Sequence, residues 1–538
     1  MNRFFVSVLA LGLGCILVRE AQAGAHFLRG DANRDSDTNA APIDLSDGVA
    51  ILSYLFTGGS VPPCLDAADI DDSGEVDIGD AVNVFNFLFL GGRQPAPPYP
   101  QIDADPTADS LDCADDSAPI DITGEITANR TLERNKTYRL ISGVFVRAPA
   151  TLTIQSGVTI MGDSTSDALL VIDRGAKIVA VGTPVDPVVF TSSKPVGERK
   201  RGDWGGVIIL GRGDLNAPGK EADAEGLPPG TKYGGGTAVD PADSSGKLSY
   251  VKIEFGGTEI AIDNEVNGLS LFAVGSGTEL DHIQVRFNLD DGVEWFGGAA
   301  SLKYGIMLGI SDDSFDYSFG FSGKGQFWVA QQKGDEADRG FEVDNSEADF
   351  AALPLTRPII SNVTLIGDPD TNEGTLSTDG ILLRRGCGTQ LYNAIVQGFK
   401  VSGVDIDDGI TTNNNPTNGN LIVDYSVFYQ NGPAPASNRH FRTGETGTSE
   451  ENAANGFAYT SLDFGTVLNT HNTLATVSPV VDPYNLTAPN FRPQNDALSG
   501  AIDPAGLDPF FQTTSYRGAV PPIGEDWTKA PWISYAQN

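Results

Sequence analysis

Six residues between positions 69 and 80 place oxygen-bearing side chains at alternate positions, a pattern that suits one hard cation. Asp69, Asp71, Ser73, Glu75, Asp77 and Asp80 fall at positions 1, 3, 5, 7, 9 and 12 of the stretch, with Gly74 at position 6. Alternate oxygens wrap a calcium ion, and the glycine permits the sharp turn between them. Position 7 of such a loop contributes its backbone carbonyl, so Glu75 need not use its side chain. A related stretch begins Asp31-x-Asn33-x-Asp35 and ends Asp44-x-x-Asp47, with five extra residues between Asp35 and Asp44. It binds calcium if the extra residues bulge outward. Asp31, Asn33, Asp35, Asp44 and Asp47 are its candidate ligands.

A second set of carboxylates repeats further along. Asp290, Asp291 and Glu294 align with Asp312, Asp313 and Asp316 at a shift of 22, and Trp295 aligns with Tyr317. Two carboxylates at a suitable separation can hydrolyse a glycosidic bond, one as acid and the other as base or nucleophile. A polysaccharide lyase would instead need a cation and a basic proton acceptor, for which Arg384 and Arg385 are the nearest candidates. Six acids are too many for the sequence to single out a pair, so the catalytic residues are unknown at this level. The histidines, His26, His282, His440 and His471, form no metal-spaced pair. His282 follows Asp281, with no third group in view to orient it. No nucleophile elbow, phosphate loop or dinucleotide fingerprint is present.

The elements that must hold these residues differ between the two regions. Asp47 to Gly59 matches Asp80 to Gly92 at a shift of 33. Each reads as a short helix with apolar residues at helical spacing, closed by a Gly-Gly pair. From about residue 121 the chain becomes a march of short strands: Leu152-Thr-Ile, Val158-Thr-Ile-Met, Ala168-Leu-Leu-Val-Ile and Ala176-Lys-Ile-Val-Ala-Val, punctuated by Gly, Asp and Pro. A period of strands and turns near 22 residues predicts coils of a parallel β-helix whose equivalent side chains stack in columns. Gly340-Phe-Glu-Val-Asp, Gly380-Ile-Leu-Leu-Arg and Gly403-Val-Asp-Ile-Asp share the pattern. Alternation then sends Trp295 inward and sets Glu294, Asp316, Glu342 and Asp405 in one outward column, interrupted by Leu382. Carboxylates stacked about 4.8 Å apart repel, so they have raised pKa values or share a cation, unless the column is simply a solvated face.

Composition bounds the partners. Acidic residues outnumber basic ones 71 to 35, for a formal charge of −36. A nucleic-acid partner is excluded, because phosphate binding needs a basic surface. Residues 1–23 read as a secretory signal, with Arg3, an apolar run from Phe4 to Val18, and Ala21-Gln22-Ala23 as the cleavage site. No other apolar run is long enough to insert in a membrane. The expectation is a secreted or cell-surface protein. Cys64 and Cys113 could pair in an oxidising compartment or remain free thiols. The organisation expected is a signal peptide (1–23), a calcium module (24–92), a Pro/Asp-rich linker (93–120) and a β-rich domain (121–538).

The paired loop-helix repeats, Asp rather than Glu at position 12 and the Leu-Phe-x-Gly-Gly endings resemble a type I dockerin. The Pro62-Pro63-Cys64 and Pro106-Thr107 segments resemble the variant common in planctomycete secreted proteins. This implies an α-helical EF-hand pair, Ca2+ as cofactor, and a cohesin-like or cell-surface protein as partner. Residues 121–538 resemble a family of secreted bacterial proteins with right-handed parallel β-helices. The resemblance is carried by Lys200-Arg-Gly-Asp-Trp-Gly-Gly, Asp263-Asn-Glu-Val-Asn-Gly-Leu, the Asp-Asp repeats and Tyr516-Arg-Gly-Ala. The expected fold class is mainly β. The expected function is binding or structural, at a cell surface, matrix or polysaccharide. The alternative is a polysaccharide lyase or glycoside hydrolase carrying an appended dockerin.

Overall fold

The computed structural model describes residues 26–33, 43–59, 61–100, 103–107, 111, 119–134, 136–259, 266–369, 376–408, 411, 419–432, 440–443 and 471–537. The signal segment, Asp35, Cys113 and part of the Asp263 motif lie outside them. The chain divides into two units, residues 1–118 and 119–538.

In the first unit, helix α1 (Leu45–Leu52) continues into a π-helical turn, Ser53–Thr57, that Gly58 ends at φ 72°. Helix α2 is a single turn, Leu65–Ala68, and α3 spans Ile78–Leu90 before Gly91 ends it at φ 66°. Left-handed φ is natural for glycine, which explains both closing pairs. The helices begin alike. Asp44 and Asp77 are N-caps, and Asp47 and Asp80 reach back to the cap amides, satisfying donors that a helix start leaves orphaned. Ile51, Ala68, Ile70, Ala81 and Val84 form the small core. Cys64 is disulfide-bonded.

The second unit is built on one sheet of 26 strands in which every pairing is parallel. Each coil contributes strands to three faces. One face runs through Leu169–Ile172, Val207–Leu210, Leu269–Phe272, Val293–Phe296, Phe315–Ser318, Phe341–Val343, Ile381–Leu383 and Val404–Ile406. The other two faces share long bent strands such as Glu279–Arg286, Ser301–Leu308 and Lys324–Gln331. The bend falls where Tyr250, His282, Tyr304 and Phe327 take left-handed φ of 52–63°. Their rings stack along the stacking direction at 4.2, 4.4 and 4.9 Å. The interior is apolar and, in its middle, aromatic, where Trp295 stacks on Trp328 at 5.4 Å.

The last sixty residues run back along the outside of the bent face. Outward amides grip their backbone in both directions. Gln284 and Ser534 exchange bonds of 3.0 and 2.9 Å, Gln326 and Gln512 of 2.9 and 2.8 Å, and Asn393 and Ile502 of 2.8 and 3.0 Å. Trp527 and Trp532 stand edge-on against the ring stack, at Tyr304 and His282. No helix among the described residues is long and apolar enough to cross a membrane.

Candidate functional site

Strand register builds the β-helix site. Along the first face the pairings align Val171, Ile208, Ser270, Glu294, Asp316, Glu342, Leu382 and Asp405 in one column pointing away from the interior. Its apolar start is covered by a loop. Leu215, Ala217, Leu227 and Tyr233 pack over Val171, Ile208, Phe272 and Phe296. The acids begin where that cover ends. Trp295 and Tyr317, one residue on, point inward and are fully buried.

The column faces out of the core, yet it is not a solvated surface. Glu342 is 8% exposed and Asp405 0%, and Glu294 and Asp316 are half-buried. The six acids read from the sequence as candidates converge here. Carboxylate oxygens lie within 4.8 Å of one another in four overlapping trios: Asp290/Asp291/Asp312, Asp291/Glu294/Asp316, Asp312/Asp313/Asp338 and Asp313/Asp316/Glu342. Asp291 accepts from the Asp313 amide at 2.9 Å, and Asp313 from the Arg339 amide at 2.7 Å. The repeat thus becomes a ladder in which each coil's acid receives the next coil's backbone.

Arginines pair with this row at its Glu342 end. Arg339 bonds Asp338 and Glu342, both at 2.6 Å. Arg384 bonds Glu342 and, at 2.8 Å, Asp344. Arg385 bonds Asp344 at 2.6 Å. At the other end, Glu294 accepts from the Asn267 amide at 2.7 Å. Asp316 Oδ1 is buried with no hydrogen-bond donor. Burial first, and then the negative neighbours, push the Asp291, Glu294, Asp313 and Asp316 carboxyls well above the usual range. Burial also lifts the Tyr233 hydroxyl, helped by Glu294 and Glu225.

The donor set is all oxygen, which suits a hard cation. The residues fit one: several acids share a few ångströms, and one buried oxygen lacks any donor. The arginines bear on lyase chemistry. Burial opposes their charge, but the carboxylates around them outweigh it and hold Arg339 and Arg384 above even the ordinary arginine range. A guanidinium held that way is a poor proton acceptor. Asp338 and Arg339 belong to the site although the sequence did not point to them; they precede the Gly340 motif in a coil carrying an insertion. Asn267, within the Asp263-Asn-Glu-Val-Asn-Gly-Leu motif, belongs to it as well, with no ligand spacing to mark it.

In the first unit, the second loop gathers Asp69, Asp71 and Asp80 within 4.8 Å. Asp69 accepts from the Gly74 and Ser73 amides at 2.7 and 3.0 Å, and Gly74 takes φ 83° at the turn. Asp80 accepts from the Ile70 and Asp77 amides, both at 2.8 Å. Burial, with Asp69 and Asp71 adding charge, moves the Asp80 carboxyl up to about 6. The Asp77 carboxylate caps α3 through the Gly79 amide. Ser73 bonds Asp69 and the Glu75 carbonyl at 3.3 Å, and the Glu75 residue is exposed. In the first loop, Asp47 accepts from the Asp44 and Asn33 amides at 2.8 and 3.2 Å, and Asn33 donates to Ser46. Asp31 is buried, and Asp35 is outside the described residues.

A parallel β-helix with an acidic row on one outer face is the class that fold and site define. The model of the pectate-lyase-like β-helix domain matches residues 124–466, and the chain belongs to that family. Neither the curated proteins nor the solved structures contain a match.

Proposed function

We propose that this is an exported, calcium-binding, polysaccharide-associated protein whose β-helix binds its ligand without cleaving it. The observation that carries the reading is the row from Asp290 to Glu342, four overlapping carboxylate trios with arginines paired to Glu342. Buried like charges are relieved by protonation or by a counter-charge, and a divalent cation supplies a counter-charge beyond the arginine pairs at Glu342 and Asp344. Oxygens packed within 4.8 Å of one another suit one ion better than they suit flanking a sugar bond, where catalytic carboxyls stand about 5–9.5 Å apart. The family description favours a polysaccharide as the ligand.

The amino-terminal module supports export and attachment. The signal segment at residues 1–23 favours export, and the loop pattern of residues 24–92 resembles that of a dockerin-like calcium module. Its two longer helices present matching exposed apolar residues, Leu45, Val49 and Phe56 on one and Ile78, Val82 and Phe89 on the other. Each pair is 33 positions apart, so the module offers a cohesin-like or cell-surface protein the same stripe twice.

Calorimetry of the full chain with calcium and with anionic polysaccharides, alongside a glycan array, tests the reading. Calcium-dependent glycan binding with no new reducing ends or unsaturated products is the expected result. Product formation that disappears in Asp316→Asn would replace the binding reading with lyase or hydrolase activity. No calcium binding by the β-helix would end the cation reading of the row.

A further inference from the structure

Among the described residues of the small unit, Arg29 is a fully buried cation, at 0% exposure. It stands beside the second loop and outside the loop pattern itself. Its donors divide between two parts of the chain. Nη1 donates to the Asp66 and Asp69 carbonyls at 2.9 and 2.7 Å. Nη2 meets Asp72 Oδ1 at 2.9 Å and Asp105 Oδ1 at 3.0 Å. Nε donates to the Pro97 carbonyl at 2.8 Å. The Phe27 ring lies 5.3 Å from the guanidinium, and Phe27 is held by antiparallel pairing with Asp103.

Two of those contacts fall on the loop's own frame. Asp69 is loop position 1, and its carbonyl is fixed by Arg29 while its carboxylate faces Asp71 and Asp80. Asp72 follows Asp71 and takes φ 62°, a left-handed conformation that aspartate adopts more readily than most residues. The tail beyond α3 closes the circuit. The Thr107 hydroxyl lies 2.7 Å from Asp72 Oδ1 and 2.9 Å from Asp105 Oδ1, and the Thr107 amide donates to Asp105 at 3.0 Å. Arg29, Asp72, Thr107 and Asp105 therefore form a ring that ties the tail to the back of the loop.

We propose that Arg29 is the positioning residue of the second cation loop, and that Asp105 and Thr107 are a latch through which tail closure and cation binding at Asp69, Asp71 and Asp80 strengthen each other. This rests on the reading that the second loop holds a divalent cation. A guanidinium is needed because its planar fork reaches two carbonyls and two carboxylates at once, which an ammonium cannot do. Anything that shapes the loop for the ion then also shapes it for the tail, and coupling of this kind is reciprocal.

Hydrogen exchange of the full chain, followed by mass spectrometry with calcium and with chelator, separates the parts. In the wild type, calcium should slow exchange in peptides covering 66–80 and also in those covering 97–107. Asp71→Asn should abolish both effects, although Asp71 is not part of the ring. Thr107→Val changes an exposed side chain and should raise the calcium concentration for half-protection of 66–80 by roughly threefold, and Arg29→Lys by about tenfold or more, within the usual span of coupling between sites. Arg29→Lys should keep the melting profile of the β-helix. Protection of 66–80 with no response at 97–107, and an unshifted midpoint in Thr107→Val, would overturn the latch and leave the cation loop standing. No calcium effect at 66–80 in the wild type would remove the cation loop itself.

Discussion

The two acidic centres of this chain solve one electrostatic problem differently. In the second loop the carboxylates of Asp69 and Asp80 each receive two backbone amides, and Asp71 is exposed. The backbone has shaped the loop, and water reaches part of it. In the β-helix row the amides are fewer and the acids more numerous. Arginine side chains do the neutralising at the Glu342 end, while at Asp316 the charge of Arg384 acts without an ion pair and Oδ1 has no hydrogen-bond donor. A loop tolerates clustered charge through backbone dipoles and solvent; a stacked sheet, whose register fixes side chains one coil apart, tolerates it only through imported counter-charge.

The contrast breaks most visibly at Arg384. Arg384→Met leaves Glu342 and Asp344 facing each other without their shared partner and should destabilise the β-helix by about 3 kcal/mol or more, read as a lower unfolding midpoint in denaturant. Asp316→Asn should act in the opposite direction. It removes a charge that lacks a donor, so in chelator it should stabilise by about 1–2 kcal/mol, while reducing the thermal shift produced by calcium. Destabilisation by Asp316→Asn in chelator would mean that a hidden partner already balances this end.

Acidity sharpens the comparison further. The Asp291, Glu294, Asp313 and Asp316 carboxyls are raised in the fold, so the folded state binds more protons than the unfolded chain. The contribution of these four groups to stability in chelator should therefore be full below about pH 4, the unfolded carboxylate range, and fall as pH rises through the folded values. Calcium should flatten that fall, which melting curves from pH 4 to 8 would show. The smallest effect belongs to the loop. Asp71→Asn should leave β-helix melting unchanged and weaken only the calcium response of residues 66–80.

Much of this geometry was legible in the sequence because both regions repeat. The shift of 22 reappears as strand register, Glu294 on Asp316 and Trp295 on Tyr317. Glu342, Leu382 and Asp405 follow in the order the small-apolar-x-apolar pattern implies. The shift of 33 reappears as two matching capping boxes. The alternative of a solvated acidic face needs correction at Glu342 and Asp405: alternation tells which residues leave the core, and it says nothing of how acids and arginines of neighbouring coils bury one another outside it. Asp338 and Arg339 went unseen because they lie in an irregular stretch that repeats nothing, and Asn267 because its motif has no ligand spacing. The returning tail was equally hidden, because single glutamines and asparagines carry no periodic signal.

That tail alters how the molecule comes apart. A stack of repeats ordinarily frays from its ends, since each coil contacts only its neighbours. Here Ile502, Gln512 and Ser534 are fastened to coils at Asn393, Gln326 and Gln284, so peeling away the final coils also strips a seam laid across the middle of the stack. Local melting is thereby tied to global melting, and the end of the chain, although last in order, becomes a crossbrace for coils formed some 250 residues earlier.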